Sequence, residues 1–244
     1  MTLALPNLTV LPDADAVARA IAEQIVALVR AAPTGRVTVA LAGGSTPQRL
    51  YRLLATPHFA ARIDWTRLHL FWGDERCVPG DDANSNARMV QEALIAHVPI
   101  PPANVHPIQT DAGSPEAAAR LYEQDLQRHY GATRLSAEKL LFDLVLLGMG
   151  DDGHTASLFP GKPALAERAH WTVAVPEAGL APFVPRVSLS FPTIASSRRV
   201  AILVTGAGKN ATLRRVADGA DLPVRHVTSN GTVAWYLDAA AAGS

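Results

Sequence analysis

"DLVLLGMGDDGHTASLFPG", residues Asp143 to Gly161, decides how this chain is read. Leu144 to Leu147 form an apolar run of the length of a buried strand, and the run breaks into glycines, two aspartates and a histidine. Gly148, Gly150 and Gly153 satisfy G-x-G-x-x-G, the phosphate turn of dinucleotide-binding proteins. Charge argues against that use. Asp151 and Asp152 stand where a pyrophosphate needs bare backbone N–H groups, and no ribose-binding acid closes the next predicted strand, where Glu177 comes too late behind a proline. The same turn suits proton transfer: an imidazole such as that of His154 changes charge readily, and Asp152 two residues earlier can fix its tautomer or raise its basicity. Taken alone, the turn fits equally well a histidine that caps a helix beside aspartates that satisfy loop N–H groups.

Outward from this stretch the chain alternates strands and helices. Val17, Ile21, Ile25, Leu28 and Val29 recur at helical spacing behind an Asp13 cap. Val37 to Leu41 is a short apolar strand that opens into "GGSTP", with Leu50, Leu53 and Leu54 on a following helix. Leu68 to Trp72 is a second such strand, running into Gly73, Asp74, Glu75 and Arg76; a helix is predicted from Ser85 to His97 and another from Ser114-Pro115. Further strands are predicted at Trp171 to Val175, Val187 to Leu189 and Val200 to Val204, the last opening into "TGAGK". Fully apolar strands alternating with helices imply an α/β fold with a mostly parallel sheet covered on both faces. With no repeat or long linker, residues 1–244 read as a single domain. Ligands of such sheets sit beyond the carboxyl ends of the strands, where GGSTP, GDER, GDDGH and TGAGK all fall.

Composition narrows the partners. Twenty-two basic and 22 acidic residues leave no net charge, so neither nucleic acid nor an anionic membrane is indicated. Cys77 is the one cysteine, flanked by Val78 and Pro79 like a small buried hydrophobe, and fits a reducing compartment. The start, MTLALPNLTV, lacks the pattern of a secretory leader, and no apolar stretch approaches the roughly 20 residues of a membrane span; a cytoplasmic protein is expected. The eight histidines show neither H-x-x-x-H nor H-E-x-x-H spacing, so no metal site is expected.

Several stretches suit a phosphate monoester. In GGSTP, Gly43 and Gly44 let the backbone approach an anion, Ser45 and Thr46 add hydroxyls, and Pro47 suits a first helical turn. An ordinary strand-to-helix turn with a Ser or Thr cap reads the same way. Lys209, where strand gives way to helix, and Arg186, just before a strand, would add charge. In GDER, alternation leaves one of Asp74 and Glu75 facing the crevice while the other anchors Arg76 or a loop amide.

Together "LAGGSTPQRLYRLL", "FWGDERCVPGDDANSNARM", the stretch quoted first, "RVSLSFPTIASSRRVAILVTGAGK" and "LPVRHVTSNGTVAWYLD" resemble, in order and spacing, the 6-phosphogluconolactonases. The resemblance implies a three-layer, doubly wound, Rossmann-like fold similar to that of glucosamine-6-phosphate deaminase. It also implies hydrolysis of 6-phospho-D-glucono-1,5-lactone in the oxidative pentose phosphate pathway, without metal or organic cofactor, by a monomer or small homo-oligomer. Carried over by motif, His154 and Asp152 are the expected catalytic pair, and Gly43, Gly44, Ser45, Thr46, Arg186 and Lys209 the phosphate site. Arg76 and Asp152 are assigned to the sugar or to His154, and Asp74 is a further substrate-binding carboxylate. The deaminases are the main rival; they resemble this fold but carry a glutamate five residues beyond the D-G-H histidine, where this chain has Phe159. A non-catalytic sugar-phosphate sensor is a third reading, disfavoured because the roughly 12 residues before the first predicted helix cannot hold a helix-turn-helix.

Overall fold

The computed structural model describes residues 3–32 and 35–243. In chain order the elements are β1 (Leu8–Leu11), α1 (Ala14–Ala31), β2 (Val37–Leu41), α2 (Ser45–Leu54), α3 (Pro57–Ala60), β3 (Leu68–Trp72), β4 (Asp74–Arg76), α4 (Asn86–Ala93), β5 (Val105–His106), α5 (Pro115–Tyr130), β6 (Leu144–Leu147), β7 (Thr172–Val175), β8 (Arg186–Leu189), α6 (Phe191–Ala195), β9 (Arg199–Val204), α7 (Asn210–Ala217), β10 (Thr232–Asp238) and α8 (Ala239–Ala242). Seven strands form one sheet in the order β1-β10-β9-β6-β2-β3-β5, and every pairing in it is parallel.

Every residue of β2 and of β6 is buried. Since successive side chains point to opposite faces, both faces of the sheet must be covered. The expected α/β architecture holds, with two corrections. First, β7 and β8, expected among the parallel strands, lie in a separate three-stranded antiparallel sheet, β4-β8-β7, in which β8 pairs with both β4 and β7. Second, the predicted helix from Ser85 to His97 divides: α4 ends at Ala93 and a short 3-10 turn covers Ile95–His97. The strands at β1, β4, β5 and β10 were not foreseen.

Helix starts follow their caps. Asp13 accepts from the Ala16 N–H at 2.8 Å, and Ser114 accepts from Ala117 at 3.2 Å with Pro115 in the first turn. The histidines carry no short metal motif, yet His69 of β3, His106 of β5 and His129 of α5 bring ring nitrogens within 4.8 Å of one another.

From β2 the chain runs outward to β3, then returns past β2 to β6 and β9, so strand order reverses between β2 and β6. That reversal opens a crevice beyond their carboxyl ends. Two buried tyrosines fix its rim. Tyr51 of α2 donates to the Ala42 carbonyl (2.8 Å) and accepts from the Ala42 N–H (3.0 Å), just past β2. Tyr122 of α5 does the same to Trp72 at the end of β3, at 2.9 and 2.8 Å. Burial pushes both phenols well above their ordinary range. Each tyrosine pairs with both backbone groups of one residue at a strand end, and a buried group left unpaired costs about 1–3 kcal/mol. Tyr51→Phe and Tyr122→Phe are therefore each expected to lower the free energy of unfolding by about 1–3 kcal/mol, read by urea denaturation; an unchanged midpoint would contradict the clamping role.

Candidate active site

Past β2 the chain must turn sharply into α2. Gly44, the residue before the helix, has φ 97, a left-handed conformation suited to glycine, and no side chain caps the helix start. The alternative of an ordinary turn with a Ser or Thr cap therefore fails: Gly44 precedes the helix and Ser45 is its first residue, with the first-turn N–H groups at the crevice end. At Gly43 a Cβ would lie 2.2 Å from Oδ1 of Asn86, so only glycine lets the loop meet that buried amide. Thr46 shares a 2.6 Å hydroxyl hydrogen bond with Thr205, which ties this loop to the one after β9.

Past β6 the loop folds on itself. Gly150 donates to the His154 carbonyl (2.9 Å) and Gly153, at φ 82, donates to the Gly150 carbonyl (3.0 Å). The turn brings His154 Nδ1 to 2.6 Å from Asp152 Oδ1, an oxygen that also accepts from the His154 backbone N–H at 3.0 Å. A carboxylate only accepts, so the imidazole proton sits on Nδ1 and the lone pair on Nε2. A Cβ at Gly150 would lie 2.0 Å from that same Nδ1. No helix starts at His154; the segment continues as turns, so the helix-cap alternative fails. Behind the ring stands Phe159, fully buried, with its centroid 4.5 Å away.

The third wall is the small sheet. Asp74 and Glu75 point opposite ways, as alternation requires. Asp74 lines the cavity and accepts from Ser157 Oγ at 2.6 Å. Glu75 turns away and accepts from the N–H groups of Arg76 (2.7 Å), Asn86 (2.8 Å) and Ala87 (2.6 Å), so its carboxylate anchors the start of α4. Burial raises its proton affinity, partly offset by those three donors. Arg76 and Arg186 are register partners across β4 and β8. Both line the cavity, and the Nε of each is buried with no hydrogen-bond partner. Arg186 lies inside β8, correcting its placement just before the strand, and only 4% of it is exposed. Its Nη2 donates to the Pro182 carbonyl at 2.9 Å, and its guanidinium carbon sits 5.4 Å from the Phe159 ring centroid. Burial, with Arg76 adding repulsion, lowers its hold on the proton. Two neighbouring guanidiniums with unmade hydrogen bonds have the chemistry to receive an anion.

The cavity these walls enclose measures about 180 Å³ and opens to solvent. That is below the roughly 300–1,000 Å³ of pockets for drug-sized ligands, and suits one sugar-sized molecule rather than a dinucleotide. Gly43, Gly44, Asp74, Arg76, His154 and Arg186 line it. Asp152 stands behind the imidazole, and Ser45 and Thr46 begin the helix just past the lining glycines. Lys209 is not in the wall: its ammonium is 2.5 Å from Asp151, in the histidine loop, while Thr212 donates to the Asp151 carbonyl at 2.6 Å. Sequence reasoning missed Asn86, 2% exposed in the wall and donating to the Asp74 carbonyl at 3.0 Å, and Thr155 and Ala156. Ala156 has φ 47, unusual for a residue with a side chain, and only the tight turn around it gives the reason. Cys77 is half-buried, with its thiol pushed up to about 11 by desolvation.

With this geometry in hand, residues 12–235 match the family described as glucosamine-6-phosphate isomerases/6-phosphogluconolactonase. A 6-phosphogluconolactonase of Synechocystis is 40% identical over 211 residues, 85% of this chain and 84% of that one. The solved structure of the 6-phosphogluconolactonase from Trypanosoma cruzi superposes with a TM-score of 0.85 at 30% identity, covering 100% of this chain and 98% of that one. A monomeric glucosamine-6-phosphate deaminase superposes with a TM-score of 0.81, covering 97% and 99%, but at 22% identity it shares the fold alone. Among the described residues no helix is long and apolar enough to cross a membrane. The chain belongs to the glucosamine-6-phosphate isomerase/6-phosphogluconolactonase family.

Proposed function

We propose that this chain is a 6-phosphogluconolactonase, hydrolysing 6-phospho-D-glucono-1,5-lactone to 6-phosphogluconate. The observation that carries the reading is a charge arrangement: an Asp152-oriented imidazole and two guanidiniums with unpartnered Nε atoms share one small cavity. One end suits proton transfer to and from water, and the other suits a dianionic phosphate.

In this reading Nε2 of His154 takes a proton from water as the oxygen attacks C1, and Asp152 stabilises the imidazolium through Nδ1–H. The lactone ring oxygen, on leaving, takes the proton back. Asp74, held by Ser157, binds sugar hydroxyls, and Arg76 reaches from these to the phosphate beside Arg186. Arg186 and the N–H groups of Ser45 and Thr46, with Gly43 and Gly44 allowing close approach, hold the phosphate. Lys209 joins them by exchanging Asp151, whose carboxylate is 72% exposed and therefore readily released, for phosphate oxygen. The reaction so described needs only water and this chain's side chains. Every group named comes from one chain between residues 43 and 209, consistent with a single domain over 1–244 acting as a monomer or small homo-oligomer on a sugar phosphate in the cytoplasm.

Deamination is the rival within the family. It needs an acid relay to open an amino-sugar ring, and the position beside His154 that would supply it is the buried Phe159. An apolar wall that touches both the imidazole and Arg186 keeps the base and the anion seat apart without offering a proton. Proton release from freshly generated 6-phosphogluconolactone, measured against ammonia release from glucosamine 6-phosphate, separates the two: turnover of the lactone alone is expected, and ammonia release without lactonase activity would reverse the assignment.

His154→Ala is expected to lower kcat by about 10²- to 10⁴-fold after spontaneous hydrolysis is subtracted; full turnover would remove His154 from the reaction. Gly150→Ala is expected to reduce kcat comparably in a folded protein, because the new Cβ must displace the imidazole; unimpaired turnover would mean that the Asp152–His154 bond does not matter. Lys209→Ala should raise KM for the phosphorylated lactone far more than for unphosphorylated gluconolactone, and equal effects on both would exclude Lys209 from the phosphate site.

A further inference from the structure

Three histidines lie together on elements the reaction does not use. His69 is the second residue of β3, His106 ends β5, and His129 lies in the last turn of α5. Each offers a ring nitrogen within 4.8 Å of the others. We propose that His69, His106 and His129 bind a divalent transition-metal ion of the zinc type through three imidazole nitrogens, pinning α5 to β3 and β5.

The geometry is close to what such an ion requires. His69 Nδ1 and His106 Nε2 are 3.2 Å apart; two nitrogens at 2.0–2.1 Å from a tetrahedral zinc are separated by roughly 3.3 Å. On its other side His106 Nδ1 is 3.3 Å from Asp125 Oδ2. That carboxylate accepts a hydrogen bond from Nδ1–H and so leaves the Nε2 lone pair facing His69, the orientation a carboxylate gives a metal-binding imidazole. On the third imidazole, Nε2 of His129 is buried without a hydrogen-bond partner among the described residues. A coordinating ion would satisfy it.

The rings are also held in place. Phe71 stacks on His106 with centroids 4.3 Å apart and meets the His129 ring edge-on at 4.8 Å. Arg36, whose guanidinium donates to the His129 carbonyl at 3.1 Å, opposes a cation, and Asp125 offsets it. Three imidazoles suit zinc, copper or nickel rather than calcium or magnesium and leave a fourth position for water. His69 is five residues before Asp74, roughly 16 Å along an extended chain, so the site is separate from the lactone cavity and its fate does not depend on the assignment of that cavity.

The test uses the full chain, stripped with chelator and titrated with Co²⁺ as an optical probe, then with Zn²⁺ in competition. One equivalent of Co²⁺ with tetrahedral visible bands, displaced by Zn²⁺, is expected, along with a higher Tm in Zn²⁺. His69→Ala and His129→Gln should each weaken binding at least tenfold, Asp125→Asn should weaken it by about 10- to 100-fold, and His154→Ala should leave it intact. No saturable binding by the wild type, binding unchanged in both histidine variants, or binding lost in His154→Ala would each overturn the proposal. Circular dichroism checks that the variants fold. Should they not, X-ray absorption of the wild-type Co²⁺ complex decides: three imidazole shells uphold the site, and fewer refute it.

Discussion

Leu41 and Trp72 are Cα partners on the last rungs of β2 and β3, and Val39 and Ala40 pair with Leu144 and Val145 of β6, all in parallel. Parallel pairing at matched register makes the strands finish at one edge, and the reversal of strand order between β2 and β6 leaves that edge without a covering crossover. The glycine turns therefore open into the same space. A one-residue slip of β6 against β2 would turn its alternate side chains over, and since the whole of β6 is buried, packing on both faces holds the register. Tyr51 and Tyr122 lock the same rim from the helix side.

Within that frame the arrangement of the candidate site depends on atoms that are absent. A methyl group at position 150 would occupy the place of His154 Nδ1, and one at position 43 the place of the Asn86 amide. Phe159 then relates the two ends of the cavity, touching the imidazole ring on one side and the Arg186 guanidinium on the other. Beside two cations and a buried apolar ring, Asp74 and Glu75 divide the work by direction alone: one faces the cavity, and the other holds the helix that carries Asn86.

Local signals were legible and long-range ones were not. The caps at Asp13 and Ser114 lie beside the helices they start, so the sequence discloses them. The β6 run from Leu144 to Leu147 needed only four apolar residues before a glycine, and Asp152 and His154 are two residues apart. By contrast β4 consists of Asp, Glu and Arg, types poorly suited to strands in general, and becomes a strand only because β8 pairs with it. The Arg76–Arg186 pair exists through that antiparallel register, which periodicity does not reveal. Asn86 matters through contact with a glycine more than forty positions earlier. His69, His106 and His129 sit on three separate elements, outside the reach of any short metal motif. Lys209 was legible as a cation near the loops, but its partnership with Asp151 was not.

The central claim is that one cavity binds a phosphate at its guanidinium end while presenting C1 of a hexose to His154. A crystal structure with 6-phosphogluconate tests it most directly. The phosphate is expected within hydrogen-bond distance of Arg186 and the N–H groups of Ser45 and Thr46, with the C1 carboxylate against Nε2 of His154. Phosphate seated on His154, or sugar bound outside the space between Gly43 and Arg186, would contradict the account.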